Sequence, residues 1–495
     1  MKWVKTEVSP YLLFLPLCYG VFIAADDMTL VVTILPDMMQ SLKIPVNDIT
    51  RASWLIISFL IGYSATMPIM GRLADRWGYR ATFLLALSVF MVGSVGVALI
   101  PLVSTSLDAI PFLDQYRWAI VARVVQSIGA GAVIPISLAA AETLVGARRR
   151  IVAFGMVGAA AEAGSVFGPV FAGAIADWIG WEYTFWSNIP LSLIAIVALA
   201  KLPKGIRHDT SVDWIGAAAF TAALTMLTVG LFRISDPDLP MIMLFVAAAA
   251  LTGVVAISNR LADEKAVPRS LGRLKDFIWS NVTHFLVGSA LMIGLVSVPL
   301  LAGTIYGLSA LDSGLLLVRM TVALGVAAFA GGFIATRFGV RIPTIAGLVI
   351  AAIGFNFIST WDIVLEEPRS SIDLILVGIG LGLIIAPIAE SALRRVPEED
   401  KGVASGLLTL SRNIGMTAGL AVVASLGTEQ FLLTAPGLEE MIERPEAANE
   451  AGMAVFANFF TYASTACIIG VIPAWLMTRN YEQDAGGSEP TDSAV

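Results

Sequence analysis

Residues 71–80 read Gly-Arg-Leu-Ala-Asp-Arg-Trp-Gly-Tyr-Arg, and residues 332–341 read Gly-Phe-Ile-Ala-Thr-Arg-Phe-Gly-Val-Arg. Glycine, alanine, arginine, glycine and arginine recur at the same places, and each stretch follows a long apolar run. This repeat indicates that the chain consists of two similar halves, each with this loop after its second apolar run. The alternative is a chance likeness between two tight turns of common composition.

Long apolar runs recur along all 495 residues, of which 57% are hydrophobic and 14% are charged. A soluble domain carries roughly 25% charged residues, and a helix that crosses a bilayer needs about 20 apolar ones. The runs are too long for barrel strands, and a helix satisfies its own backbone groups in lipid. The sequence therefore predicts an all-α, polytopic membrane protein with fourteen transmembrane helices. They are expected at roughly 10–36, 52–71, 81–102, 117–145, 151–176, 183–201, 213–233, 239–258, 276–304, 312–335, 342–360, 372–393, 402–427 and 453–478.

The basic residues are distributed unevenly across the predicted membrane. If both termini are cytoplasmic, the cytoplasmic segments hold 22 of the 31 lysines and arginines, and the opposite segments hold six. The remaining three, Arg123, Arg319 and Arg412, lie within apolar runs. The positive-inside rule describes such a bias, so we expect an inner (plasma) membrane protein with both termini in the cytoplasm.

The seventh and eighth runs separate two sets of six. We expect an N-terminal six-helix bundle at 1–204, two inserted linker helices at 205–262, a C-terminal six-helix bundle at 263–480 and a disordered cytoplasmic tail at 481–495. Parallel halves of this kind place a substrate cavity at their interface.

Composition excludes several other classes of protein. The net charge of −7 disfavours nucleic-acid binding. Cys18 and Cys467 lie in apolar runs and indicate neither a disulfide framework nor a cysteine metal site, and the two histidines are far apart. The sequence has no Gly-x4-Gly-Lys-Ser/Thr phosphate loop and no Ser/His/Asp set. We therefore expect no bound cofactor or metal, no transport driven by ATP hydrolysis and no enzymatic activity.

Short motifs give the chain a resemblance to a known family. Residues 71–80 resemble motif A of the major facilitator superfamily through five residues: Gly71, Asp75, Arg76, Gly78 and Arg80. Residues 123–129 are similar to its motif B, through Arg123 and Gln126. The second loop departs from motif A, because Thr336 stands where the first loop has Asp75.

The fifth run is similar to motif C, which marks the antiporter branch of that superfamily. Four residues carry the likeness: Gly164, Gly168, Pro169 and Gly173. Asp27-x-Thr29 resembles the first-span signature of the fourteen-span drug:proton antiporters. Residues 213–216 and 402–415 resemble the seventh and thirteenth spans of the same antiporters.

Residues 44–47 and 158–169 look like the mycobacterial exporters of lipids and drugs within this family. The resemblance implies the fourteen-span major facilitator fold and proton-coupled antiport by alternating access. It also implies hydrophobic or amphipathic substrates, either drugs or triacylglyceride-type lipids, and a periplasmic lipoprotein as a partner. We expect the transporter itself to be a monomer.

Two acids lie inside the first run. Asp27 is roughly 26 Å along the helix from Pro10, past the midplane of the bilayer. An ionisable side chain at that depth is unfavourable and is usually retained for a function or a pairing. We expect Asp27 to exchange a proton or hold a cationic substrate, and Asp26, about 100° away, to share this site. The alternative is that one of the two lines a wet outer vestibule.

Glu162 is the third candidate for proton coupling. It lies about 12 residues from Arg150, near mid-depth. Ala160, Gly164 and Gly168 form a stripe of small residues that lets helix backbones approach closely. Glu162 is about 200° round the helix from Gly164, so we expect it to face a cavity. The alternative is a structural hydrogen bond to a neighbouring helix.

Arg123 shares a helix face with Gln126, and together they should form a polar site in the central cavity. A buried arginine without a carboxylate would be very unfavourable. Asp27 and Glu162 are the nearest carboxylates by depth.

The partners of the other two intramembrane arginines stay open. Arg319 is expected at the central cavity, where it would contact the substrate or a lipid headgroup, or else to be paired within the protein. Arg412 and the adjacent Asn413 are expected at the central cavity. Four carboxylates could pair with Arg412: Glu142, Glu390, Asp75 and Glu162.

Motif A suggests a latch. Gly71 and Gly78 permit a tight turn, and Asp75 can lie at a helix N-terminus, where the dipole favours an anion. Arg76 and Arg80 can reach carboxylates of the other half. We expect this loop to hold the cytoplasmic face closed, the alternative being that its arginines serve topology alone.

These observations favour a proton-coupled exporter of hydrophobic or amphipathic compounds. An importer of a small nutrient, a lipid-only transporter of the triacylglyceride type and a membrane sensor are the alternatives. Motif C disfavours the importer, and the two-half architecture disfavours the sensor.

Overall fold

The protein is described by a computed structural model that covers residues 10–45, 48–102, 114–145, 150–203, 214–233, 238–261, 271–397, 401–434 and 446–477. Fourteen α-helices have their bounds within these ranges. They are α1 Pro10–Ser41, α2 Ile49–Trp77, α3 Tyr79–Ala98, α4 Gln115–Val145, α5 Arg150–Ile179, α6 Glu182–Ala200, α7 Trp214–Phe232, α8 Leu239–Leu261, α9 Lys275–Thr304, α10 Ala310–Phe338, α11 Arg341–Ile358, α12 Arg369–Leu393, α13 Lys401–Thr434 and α14 Glu446–Leu476. A short 3-10 turn, Leu271–Arg273, precedes α9.

Twelve helices in the described ranges are long and apolar enough to cross a membrane. The prediction of an all-α, multi-pass membrane protein is therefore confirmed. The two helices outside this set are α2 and α7. The count of fourteen membrane spans stays a prediction.

The two loops of similar sequence form the same sharp corner. Gly78 ends α2 with a φ of 86°, and Gly339 ends α10 with a φ of 76°. Glycine adopts this left-handed region without the steric clash of a Cβ atom. In both places the next helix begins within two residues, so each loop folds one helix directly back on another.

The helices pack in two groups, α1–α6 (the N-bundle) and α9–α14 (the C-bundle), and the same partners recur in both. In the N-bundle α1 packs on α5, and α4 packs on α2 and α3. In the C-bundle α9 packs on α13, and α12 packs on α10 and α11. The predicted limits near 204 and 262 and the tail at 481–495 lie outside the described residues, so these boundaries stay predictions.

Among the described residues the bundles meet mainly along three helix pairs: α1 with α9, α2 with α13, and α5 with α10. Helices α7 and α8 pack on each other, and α7 covers the line between α2 and α13. We call the side with the Gly78 and Gly339 corners the corner side, which is the predicted cytoplasmic side. The opposite side, where α1 ends and α10 begins, is the far side.

Candidate functional site

A polar cluster lies in the core of the N-bundle. The Arg123 Nη1 atom of α4 is 2.8 Å from Oδ2 of Asp27 on α1, and both side chains are at most 1% exposed. Gln126 and Asn188 each donate an amide N–H to Oδ1 of Asp27 at 2.8 Å. Ser94 on α3 accepts a further hydrogen bond from Gln126 at 2.7 Å. These five residues, the N-bundle cluster, join four helices around one carboxylate.

The remaining faces of Arg123 are also occupied. Its Nε donates to the Leu55 carbonyl oxygen at 3.3 Å, and its guanidinium carbon lies 4.3 Å from the centre of the Phe59 ring. A buried ion pair is tolerated only when hydrogen bonds satisfy both partners, and here they do. The N-bundle cluster therefore stabilises one arrangement of four helices.

Asn188 and Ser94 were not predicted from the sequence. The signal that could have found Asn188 is a lone amide in the apolar run of α6. Asp26 is 1% exposed, and its Oδ1 has no hydrogen-bond partner among the described residues. It lies against Gly168 of α5, where an added Cβ atom would be 3.2 Å from Oδ1.

A second ion pair joins the two bundles. Arg412 Nη1 of α13 lies 3.3 Å from Oε1 of Glu162 on α5, and their side chains are 21% and 26% exposed. Helices α5 and α13 are equivalent in the two halves, and each residue lies about three turns from the start of its helix. The Glu162–Arg412 pair therefore links matching positions of the two bundles.

Of the four possible partners of Arg412, Glu162 is thus the one that the described part of the structure pairs with it. Glu390 is exposed. Glu142 and Asp75 lie on helices α4 and α2, but their side chains are outside the described part of the structure. Asn413, beside Arg412, is buried, and neither its Oδ1 nor its Nδ2 has a partner among the described residues.

The Glu162–Arg412 pair lines a small cavity, of about 30 Å³, between the bundles. The lining comes from α1, α5, α9, α10 and α13: Met28, Thr29, Glu162, Ser165, Val166, Leu291, Leu295, Thr321, Leu324, Arg412 and Met416. Most of these side chains are apolar, and the pair supplies the charged groups of this lining. Such a surface suits an amphipathic or apolar molecule with one polar group.

Arg319 does not line this cavity. It pairs with Glu367, in the loop after α11, and donates to Ser371 Oγ at 2.6 Å. Burial raises the pKa of Glu367, but the hydrogen bonds from Arg319 and Ser371 outweigh this and lower it to about 2. The structure therefore gives Arg319 a partner within the protein, on the C-bundle surface.

Motif A contacts its own bundle where its side chains are described. Arg80 donates to the Leu202 carbonyl oxygen at 2.7 Å, and Tyr79 donates to that of Pro203 at 2.8 Å. Both bonds tie the α2–α3 corner to the end of α6. Arg76 is exposed. Gly71 lies inside α2, so the turn predicted there is wrong and the chain turns at Gly78 alone. Asp75 also belongs to α2, but nothing is described of its side chain, so the latch stays a prediction.

The motif C residues of α5 are points of close approach. A Cβ atom on Gly164 would lie 2.3 Å from the Phe22 carbonyl oxygen of α1, and one on Gly168 would lie 2.5 Å from Thr29 Oγ1. A Cβ on Gly173 would lie 2.6 Å from the Ala310 carbonyl oxygen of α10, and one on Gly314 would lie 2.5 Å from that of Pro169. Motif C therefore packs α5 on its own bundle and, near the far side, on the other bundle.

Comparison with known proteins identifies the family to which the chain belongs. Residues 17–420 match the sequence profile of the Major Facilitator Superfamily, and the chain belongs to this family. It is 35% identical to a triacylglyceride transporter of Mycobacteroides abscessus over 83% of this chain and 81% of that protein. It is 32% identical to a triacylglyceride transporter of Mycobacterium tuberculosis over 94% and 93% of the two chains. The resemblance to the mycobacterial branch is confirmed, and the names of these relatives indicate a transporter.

Solved structures agree on the fold. A bacterial homologue of the human lysosomal transporter Spinster, in an inward-facing and unoccupied conformation, gives a TM-score of 0.65 at 14% identity. The xylose transporter XylE from E. coli, in an inward-open conformation, gives 0.64 at 14% identity. Each likeness covers 96% of this chain and 98% of the other.

Proposed function

We propose that this chain is a proton-coupled exporter of apolar and amphipathic molecules, with triacylglyceride-type lipids as its main substrates. The supporting observation is the Glu162–Arg412 pair, which crosses the bundle interface inside a mostly apolar cavity. The relatives named triacylglyceride transporters support the choice of lipid. We further propose that the protein lies in the inner membrane with the corner side in the cytoplasm.

The packing between α5 and α10 supports access from the membrane. A Cβ atom on Gly325 of α10 would meet, among the described residues, only Val166 of α5, at 3.9 Å. The same helices are in backbone contact nearer the far side, at Gly173 and Gly314. Meanwhile α7 covers the other line of contact, between α2 and α13. A molecule dissolved in the bilayer would enter most easily between α5 and α10.

The Glu162–Arg412 pair also supplies a coupling mechanism. When Glu162 takes up a proton, its carboxyl group becomes neutral and no longer attracts the guanidinium of Arg412. The two bundles then lose a charged contact at their centre and can separate. When the proton leaves, the pair can form again and close the cavity. Asp27 takes no part in this step, because Arg123 holds it in the core of the N-bundle, away from the cavity.

The test uses purified protein in liposomes with a pH gradient and a fluorescent triacylglyceride. We expect gradient-dependent movement of the lipid for the unchanged protein and its loss for Glu162→Gln. Arg319→Gln is the matched control, because it breaks an ion pair outside the cavity. If the unchanged protein moves no lipid under any gradient, the proposed substrate is wrong. If Glu162→Gln transports at the unchanged rate, the pair does not couple transport to protons.

Drug export is a second candidate. The lining of the cavity combines apolar side chains with one ion pair, as sites for amphipathic small molecules do, and the cavity would have to widen to admit such a molecule. The same liposomes loaded with an amphipathic cationic dye would measure it. Dye export without lipid movement would favour this function over lipid transport.

A further inference from the structure

The last turn of α5 holds the first turn of α10, across the interface between the bundles. Asp177 of α5 accepts the Ala310 N–H at its Oδ1, at 3.1 Å, and the Leu311 N–H at its Oδ2, at 2.9 Å. Ala310 and Leu311 begin α10, and the first N–H groups of a helix have no partner within it. A side chain of one bundle therefore caps a helix of the other.

The backbones beneath this cap are in close contact. Gly173 lies one turn before Asp177, and a Cβ atom there would be 2.8 Å from the Leu311 Cα atom. Gly314 lies one turn into α10, and a Cβ atom there would be 3.3 Å from Cγ2 of Thr33 on α1. Glycine at both positions allows the approach that brings Asp177 within reach of the helix end. This contact lies on the far side of the cavity.

Helix α10 does not need Asp177 in order to begin. Ser309 is its own N-cap, and its side chain accepts the Asp312 N–H at 3.1 Å. The carboxylate of Asp177 instead takes two N–H groups that Ser309 leaves free, at the positive end of the helix dipole. Loss of Asp177 should therefore loosen the contact between bundles and leave α10 folded.

A second carboxylate weakens this contact. Asp37, near the end of α1, repels the charge of Asp177.

We propose that Asp177 is a positioning residue of the transport cycle, which holds the far side closed by capping α10 and must let go before the cavity can open there. This inference rests on the proposed alternating access. Its consequence is that the far side and the centre of the interface are held by different carboxylates, Asp177 and Glu162.

The test measures how often the far side opens in purified protein. Thr33→Cys places a thiol at a buried position next to Gly314, and its rate of maleimide labelling reports opening. Adding Asp177→Asn should raise the labelling rate by about two- to fivefold, because a helix terminus loses its anion. The same protein with Thr33 unchanged corrects for Cys18 and Cys467.

Asp312→Asn is the matched control. It removes an acid from the first turn of the same helix but leaves both bonds between the bundles in place. An equal rise in labelling for Asp312→Asn would overturn the proposal, because the effect would then belong to α10 alone. Unchanged labelling for Asp177→Asn would overturn it as well.

Gly173→Ala gives a second route to the same answer, should Asp177→Asn fail to yield monodisperse protein. Its methyl group would press on the Ala310 carbonyl oxygen and separate the helices. It too should raise Thr33→Cys labelling, and a rate equal to that of Thr33→Cys alone would count against the closure. Labelling requires no substrate, so these results stand apart from the outcome of the lipid assay.

Discussion

Two carboxylate–arginine pairs of the same chemistry lie in different places. Asp27 and Arg123 belong to one bundle, are shut off from water and have further hydrogen bonds on every side. Glu162 and Arg412 belong to different bundles, are a fifth to a quarter exposed and line a cavity. The first pair can break only if the N-bundle comes apart, whereas the second can break while both bundles keep their shape. This difference makes Glu162 the better candidate for a proton switch and Asp27 the better candidate for a structural charge.

The largest expected effect comes from Arg123→Gln. It leaves the Asp27 carboxylate buried without its cation, and breaking a buried pair in this way costs about 3–5 kcal/mol. We expect a large fall in the thermal stability of the detergent-purified protein, with loss of the monodisperse peak in size-exclusion chromatography. The double variant Asp27→Asn with Arg123→Gln should recover part of the stability, because no charge is then left unpaired. A melting temperature unchanged by Arg123→Gln would contradict the structural role.

A smaller effect on stability is expected from Glu162→Gln. The pair is partly exposed, and such pairs contribute about 1 kcal/mol or less. Thermal unfolding of Glu162→Gln, Arg412→Gln and the double variant should give a coupling free energy in that range, although transport falls. A coupling as large as that between Asp27 and Arg123 would show that both pairs are structural and remove the contrast between them.

The helices could be predicted from the sequence because apolar runs of about 20 residues are typical of membrane-spanning helices. The run at about 312–335, for instance, became α10, Ala310–Phe338. The repeated glycines also located the two corners, since Gly78 and Gly339 each adopt a positive φ that other residues avoid.

The pairings could not be predicted to the same degree. Depth along a helix can be counted from the sequence, but the rotation of each helix toward its neighbours depends on tertiary packing. Four acids were therefore open as partners of Arg412, and the pair with Glu162 is visible only in the structure. Asn188 and Asp177 escaped notice for a related reason. The sequence around a neutral amide in an apolar run, or around an acid at a helix end, does not indicate its contacts, because these depend on the position of the partner helix.

The smallest effect concerns a third pair, Arg319 with Glu367, which lies outside the cavity and is more exposed than the other two. The pKa of Glu367 is lowered from 4.5 to about 2, so the pair stabilises the folded state fully above pH 4.5 and loses this contribution as the pH falls through about 2. Solvent screening limits the contribution to about 0.5 kcal/mol or less.

The difference in melting temperature between the unchanged protein and Glu367→Gln should therefore be small and constant from pH 7 to pH 5, then shrink toward pH 3. A difference that already changes near pH 6 would mean that another group titrates with this pair. The transport rate of Glu367→Gln should equal that of the unchanged protein, because neither Arg319 nor Glu367 lines the cavity. A loss of transport in this variant would contradict the distinction between the Glu162–Arg412 pair, which takes part in transport, and the Arg319–Glu367 pair, which only stabilises the surface.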